Sequence, residues 1–576
     1  MKHTYKLIDY VFATVIATTL LFFTSCETTE LEILDSPNAL TPEEADIDLF
    51  LNSIQVGLAA FFDGDQLNDN AGISENGMEV TRILHAFGPI YDNIYLPSRT
   101  DILYQNAYAG PLIDGRTMIP LAEEAELYTH IGISQVVEAY IIMGFVDLYG
   151  PVPYSEALQG ADFLNPNLDS GQDVYEAVES LLNQAIENFN RDEASLPAND
   201  LYYDGDESKW IKLANTLKLK LYIQTRLVDS DAGSKINALL SEGNLILTTD
   251  DDFEFQYSTT DANPDSRHPI FGRNFDVAAD VTDYMSNSYM TLVKDDYTDG
   301  DPRTRYYFYR QSLDFTMDPN ENECITIARP IHYSSSDTYC NPGDGYWGRD
   351  HLDNDGIPPD GGLRTTWGVY PIGGLFDDQR GTPIPGRDIG LQGAGISPIM
   401  LSSFTNFMLA EGALTIGVDG DARGYLEEAV RQSISKVVSF GERLDYLDNV
   451  VVPDDPDTDA DEERTIRDFY VPSNDDIEDY VEDVLERYDS LSGNDRLELV
   501  VIEYFKALYG NGLEAYNTYR RTGFPSMLQP ALEPQPGEFI NSFLYPQELF
   551  QQNSNVDQKP NQAVRVFWAE GGPTVD

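Results

Sequence analysis

Apolar residues recur along this chain at helical spacing in separate blocks, and one block is apolar on nearly every side. Over residues 133–157 they fall at Ile133, Val136, Val137, Tyr140, Ile141, Met143, Gly144, Val146 and Leu148. That period with an almost continuous apolar surface predicts a helix buried on most sides. Gly150-Pro151 ends it, because glycine tolerates a left-handed cap and proline cannot continue a helix. Upstream, Thr41-Pro42-Glu43-Glu44 reads as a capping box opening a helix through about Ala60. Residues 63–77 read as a polar loop, 78–110 hold a second helix candidate, and a third covers about 115–129. Downstream, Ser170 and Asp173 cap a helix with Val174, Val178, Leu181, Leu182, Ala185 and Phe189 on one face, and 209–226 is helical again. Consecutive helices with short connections make αα-hairpins, which stack into a solenoid-like array, here without a strict sequence repeat.

From about 250 to 395 the pattern breaks, and Pro, Gly, Asp and aromatics dominate. An irregular stretch of that length in a globular chain is usually functional or specially stabilised. Helices resume at Ser397-Pro398, read as an N-cap with Pro at the first helical position, over Ile399 to Leu414, with a partner at 422–439. Ser473 and Asp476 cap a helix to about Tyr488, another spans 495–509, and Asn511 to Tyr519 follow. Residues 453–463 are an acidic insert, and 525–576 are proline-rich and predicted to wrap the surface. The expected fold class is mainly α. Tetratricopeptide-like helix pairs form a scaffold at 41–249 and 396–525, with an irregular ligand-side region at about 250–395 and a C-terminal wrap at 526–576, all in one domain, 41–576.

The net charge of −62 argues against a nucleic-acid partner, since phosphates would be repelled. The 35 Tyr and 27 Phe supply surfaces that are flat and, for Tyr, hydrogen-bonding, as glycan or peptide recognition requires. They also pack helices. The aromatic candidates for ligand contact are Tyr91, Tyr95 and Tyr104 with Asn106, and Tyr346, Trp347 and Trp367 in the irregular region, where loops would present them on a rigid scaffold. Catalytic motifs are missing: there is no HExxH, no GxSxG and no P-loop. Asp295 to Asp301 and Asp353 to Gly356 invite a structural calcium ion, but neither run has Glu at the twelfth position, so the metal and its ligands stay unassigned. No cofactor is implied.

Lys2 and Lys6 precede an apolar stretch at 11–23, too short to span a bilayer comfortably and fitting a signal peptide. It ends in Phe23-Thr24-Ser25-Cys26, which resembles a bacterial lipobox. Residues 1–25 then form the signal peptide, Cys26 is the lipidated residue, and 26–40 are a linker. Glu27, Glu30 and Glu32 resemble the surface-export signal of Bacteroidota lipoproteins. In an exported chain, Cys324 and Cys340 favour a disulfide over two free thiols. A zinc site could draw on His332 and His351, but the ligand pattern is weak.

Several strings resemble the SusD/RagB family of nutrient-capturing surface lipoproteins. Asp147 to Ala157, DLYGPVPYSEA, is similar to its helix-exit motif. Trp210 to Leu221 resembles its Trp-x-x-x-Ala-Asn-x-Leu-Lys helix, and Met408-Leu409-Ala410-Glu411 its later Leu-Ala-Glu helix. Leu513 to Pro525 resembles its aromatic-Arg-Arg-Thr-Gly-x-Pro signature, and Tyr545-Pro546-x-Glu548 its tail. The resemblance implies tetratricopeptide-like helix pairs, no catalysis, and a TonB-dependent SusC-like outer-membrane barrel as partner. The lipoprotein would act as a hinged lid passing on an oligosaccharide or a peptide. No ligand residue carries over by motif. Two rival readings are a helical glycoside hydrolase or lyase, which predicts turnover, and a helical scaffold without a small ligand. Arg520-Arg521 is expected to satisfy helix-terminal carbonyls and neighbouring acids rather than a ligand.

Overall fold

In the computed structural model the described residues are 46–65, 70–275, 281–298, 300–355, 361–452 and 464–575. The signal peptide, Cys26, the linker, the capping box at Thr41 and the acidic insert lie outside them. The first helix, α1 (Ile47–Asp63), buries Leu51, Ile54, Leu58 and Phe62 along one side. A two-residue strand pair, Gly64–Asp65 with Asn70–Ala71, leads into α2 (Ile73–Val80). The stretch expected to be loop as far as residue 77 is therefore helical from Ile73. Its polar residues and Gly77 mimic a loop because they meet a cavity and another backbone, not because the segment is solvated. Residues 78–110 are not one helix but short pieces, Tyr91–Ile94, Pro97–Thr100 and Asp101–Ala107. Pro89 and Pro97 interrupt the ladder of backbone bonds.

The organising helix lies between α3 (Ile113–Glu124) and its own partner: α4 (Tyr128–Tyr149) is buried at every residue after Tyr128. It is long and apolar enough to cross a membrane, and its apolar surface is consumed by protein instead. Gly150 ends it at φ 84°, a conformation that favours glycine. Next come α5 (Gly171–Phe189), whose Ser170 cap accepts from the Asp173 N–H, α6 (Glu207–Thr225), capped by Asp206, and α7 (Ala232–Glu242). Each of α3 to α7 packs on its neighbour in sequence, which is the helix-pair array.

The irregular region is stapled at its two ends. Its entry strand β1 (Phe253–Gln256) pairs antiparallel with its exit strand β2 (Ile396–Met400). This corrects the expected helix start at Ser397-Pro398: those residues are strand, and the helix α8 (Ser402–Thr415) starts later. Asp252, beside β1, accepts from the Ser402 N–H at 2.7 Å, so the true cap comes from a residue remote in sequence. Within the region the backbone forms few ladders, and tyrosines replace them. Tyr307 and Tyr509 stack at 4.4 Å, with Trp367 at 4.8 Å from Tyr509. Their hydroxyls bind main-chain carbonyls: Tyr509 that of Tyr307, and Tyr307 that of Lys506. Cys324 and Cys340 are disulfide-bonded across a Cα–Cα distance of 5.4 Å. Closing a loop of this length is worth about 3 kcal/mol on the chain-entropy model. Replacing both cysteines with serine is expected to lower the urea midpoint by up to that equivalent, and an unchanged midpoint would show that the loop is held by its other contacts alone.

The second helical group is α8, α9 (Ala422–Glu442), α10 (Asn474–Ser490), α11 (Asn494–Ala507) and α12 (Gly512–Thr522). Ser473 and Asp476 form the expected capping box of α10. The tail then runs over the scaffold: Phe543 N–H donates to Leu148, the Asn553 amide to Pro166, and the Pro536 carbonyl accepts from Tyr91.

Four of the strings that resembled family motifs meet in two buried polar clusters, joined through α12. Asp147 of α4 accepts from Tyr175, from Asn517 at 2.7 Å and from the Trp568 indole at 3.0 Å. Lys220 of α6 lies 3.8 Å from Asp147 and pairs with Glu514 of α12. Arg521 grips Glu411 of α8 through two nitrogens at 2.7 and 2.8 Å, and Arg226 adds a third bond at 2.7 Å. Burial alone would raise the Glu411 pKa, but Arg521 and Arg226 hold it down at about 2. Arg520 donates to the Asn541 carbonyl and covers Tyr516 at 3.5 Å. Both arginines are 1 % exposed. They act inside the scaffold: Arg521 joins α12 to α8 and α6, and Arg520 ties the tail to α12.

Candidate functional site

The segment after α2 is zipped to the segment that opens with Val281. Leu84 bridges Met285, and the His85 N–H donates to the Tyr284 carbonyl at 2.9 Å. This pairing brings the polar face of α2 against the irregular region around a cavity of about 270 Å³. One wall is charged. Glu79 meets Arg99 at 2.5 Å, Asn76 accepts from the same guanidinium at 2.7 Å, and Glu75 meets Arg273 at 2.6 Å. Arg273 also lies 3.4 Å from Asp283. The other wall is aromatic: Phe87 and Tyr284, each edge-on to the His85 ring. The Arg349 guanidinium lies 4.5 Å from Tyr284 and 5.2 Å from Phe87, fixing both rings by cation–π contact. Phe87 is 40 % exposed, so an aromatic face backed by a cation is offered to solvent beside paired charges.

Electrostatics distinguish this wall from ordinary surface. Burial pushes the Glu75 carboxyl up to about 7, against the pull of Arg273, and burial raises Glu79 likewise against Arg99. Burial, and then the charge of Arg349, keeps His85 well below the usual histidine range, so it is neutral at pH 7. Groups displaced in this way cluster at functional sites.

The residues expected to touch a ligand are placed differently. Tyr91 is buried, taking a bond from Arg82 and sharing one with His351. Tyr95 is 1 % exposed beneath Arg99 and edge-on to Phe543. Trp347 lies under Arg364, and Trp367 is fully buried with its indole 3.3 Å from Asp283. Stacking a ligand on these four is corrected to a supporting role: their faces are covered by protein, and Tyr95 and Trp367 underpin Arg99 and Asp283. Tyr346 is buried beneath Arg310, away from this cavity's lining. Tyr104 is half-buried against Tyr108 and Phe145, and Asn106 is exposed. Neither lines the cavity. The expectation missed Glu75, Glu79, Phe87, Arg99 and Tyr284. The signal for them was faint: two acids four residues apart, and an aromatic ahead of Gly88-Pro89, in a stretch read as loop and helix.

No group of three or more His, Cys, Asp or Glu among the described residues is placed to hold a metal ion. In the first aspartate run, Asp295, Asp296 and Asp301 are engaged by Lys294, Lys506 and Arg303.

Comparison with known proteins agrees with this architecture. Residues 37–339 match the family model described as "Starch-binding associating with outer membrane", and residues 396–567 match that of "Susd and RagB outer membrane lipoprotein". Comparison with curated proteins returned no match. Among solved structures, a SusD/RagB family protein from Bacteroides thetaiotaomicron is similar at a TM-score of 0.64 and 17% identity, over 92% of this chain and 100% of that one. A SusD homologue from Bacteroides uniformis gives 0.61 and 19%, over 90% and 99%. A chitin-binding protein gives 0.61 and 17%, over 92% and 100%. A first model spanning more than half of the chain, a second covering the later helices, and a shared helix-pair fold together show that the chain belongs to the SusD/RagB family.

Proposed function

We propose that this protein captures an oligosaccharide in the cavity beside α2 and delivers it to a TonB-dependent, SusC-like barrel, held to the outer membrane by acyl chains on Cys26. The observation that carries the reading is the solvent-exposed Phe87, backed by Arg349, beside the Glu79–Arg99 pair. Sugar rings present C–H faces that stack on such a ring, and hydroxyls that a carboxylate–guanidinium pair can bind from both sides. The family description as starch-binding and outer-membrane associated, and the chitin-binding structural relative, support a glycan over a peptide. The family description as starch-binding and the missing catalytic motifs support binding without turnover.

Calorimetric titration with starch-derived, chitin-derived and peptide oligomers tests this. A glycan is expected to bind, with affinity reduced about tenfold or more in Phe87→Ala and Arg99→Met, which is about 1.4 kcal/mol. Wild-type affinity in both variants would move the site elsewhere. Release of shortened product would favour the hydrolase reading. A tagged chain drawn from mildly solubilised outer membranes is expected to bring the barrel with it.

A further inference from the structure

A larger cavity, of about 580 Å³, opens between α10, residues 469–472 at the end of the short helix Ile466–Tyr470, and the irregular region, and shares no lining residue with the first. Its cations are already engaged. Arg310 binds both oxygens of Asp377 at 2.6 and 3.2 Å and the Asp344 carbonyl at 2.6 Å. Arg305 donates to the Asp377 carbonyl and to Gln379, and its guanidinium covers Tyr470 at 4.5 Å. Two of its carboxylates are not engaged. Asp479 and Asp483 are exposed, and no hydrogen bond or ion pair joins them to another described residue. They stand one turn apart on α10, about 6 Å along the axis, a like-charge spacing that disfavours the helix. A bound cation would relieve that repulsion. Carboxylates alone would be solvated surface. Here they border a cavity with two half-buried rings: Tyr470, backed by Arg305, and Tyr297, which lies within cation–π range of Lys506 at 4.8 Å and of Arg487 at 5.6 Å.

We propose that this cavity is a second ligand site, taking an oligosaccharide of unacetylated amino sugars. Tyr297 and Tyr470 receive the sugar faces, and Asp479 and Asp483 receive the ammonium groups. A lysine or arginine chain would meet the same carboxylates and stack on the same rings, which makes a basic peptide the rival that oligolysine tests; the starch-binding family description and the chitin-binding relative favour the sugar. The net charge of −62 adds a long-range attraction for a cationic glycan.

The test is calorimetric titration of the full chain with a glucosamine hexasaccharide, its fully N-acetylated counterpart and oligolysine. The glucosamine oligomer is expected to bind at least about tenfold more tightly than either alternative, and to weaken as salt is raised. Asp479→Asn/Asp483→Asn and, separately, Tyr470→Ala are expected to reduce that affinity about tenfold. The asparagine pair removes a like-charge repulsion on an exposed helix face, so it should unfold no earlier than wild type. The proposal is overturned if the glucosamine oligomer does not bind, if the asparagine pair leaves its affinity unchanged, or if oligolysine binds as well. Loss of binding in Phe87→Ala with the asparagine pair unaffected would assign the oligomer to the first cavity and overturn it too.

Discussion

Replacing Arg521 with methionine is expected to destabilise the protein by about 3–5 kcal/mol, the range found when one partner of a buried ion pair is removed. Arg521 is 1 % exposed and supplies two of the three guanidinium bonds to Glu411, which is equally buried. Without it, Glu411 keeps Arg226 alone, and Gln224 loses its partner. The carboxylate is then a buried charge with half its compensation. The loss depends on pH in a definite direction. Glu411 titrates at about 2 in the folded protein, against about 4.5 for a free glutamate, so the stabilisation from its ionised form is complete above about pH 4.5. It is lost as pH falls toward 2. The gap between wild type and Arg521→Met, read from urea unfolding, should therefore be widest at neutral pH and narrow below about pH 4. A gap under 1 kcal/mol at pH 7, or one constant with pH, would show that Glu411 is not the residue Arg521 serves.

Substituting alanine for Gly512 is expected to damage both stability and the candidate site. A Cβ at Gly512 would lie 2.0 Å from the Ser74 carbonyl oxygen and 2.1 Å from the Met78 nitrogen, and one at Gly77 would lie 2.1 Å from the Gly512 oxygen. Helices α2 and α12 thus cross in backbone contact, pinned by Ser74, whose hydroxyl donates to Gly510 and accepts from Gly512. No flexible side-chain end stands in the way; the methyl group must push one helix off the other, at a cost of about 1–3 kcal/mol or more. Because α2 carries Glu75 and Glu79, moving it shifts both acids away from Arg273 and Arg99. Glycan affinity is expected to fall at least about tenfold while the variant remains folded. Thermal unfolding and the same titration read the two effects separately. Unaltered affinity with lowered stability would mean that α2 does not set the site's geometry.

The scaffold was legible because its signals are local. The apolar period of α4, its Gly150-Pro151 stop, and the caps at Ser170 and Ser473 all sit within a few residues of what they control. The role of Arg520-Arg521 was legible for a related reason: two arginines closing a helix find acceptors inside the protein, Arg521 the Glu411 carboxylate and Arg520 the carbonyls of Tyr516 and Asn541. The site was much less legible. Trp347 and Trp367 were natural candidates for sugar stacking, yet a region with few backbone ladders must fill its interior with side chains that both pack and hydrogen-bond, and aromatics with polar tips do that best. The residues that do line the cavity come from three stretches read differently: Glu75 from the expected loop, Glu79 to Arg99 from the expected second helix, and Thr282 to Tyr284 from the irregular region.

By itself, the sequence determined a mainly helical protein with its apolar faces, caps and breaks in place, and its motifs pointed to the family. Only the tertiary structure decided that Ser397-Pro398 is strand rather than helix, since its partner, Phe253 to Gln256, lies across the whole irregular region. The same holds for the contact of Gly77 with Gly512 and for the meeting of Phe87 with Arg349. Periodicity and capping act over one or two helical turns. Strand pairing, close backbone approach and the burial of an aromatic depend on chain segments that no local pattern specifies.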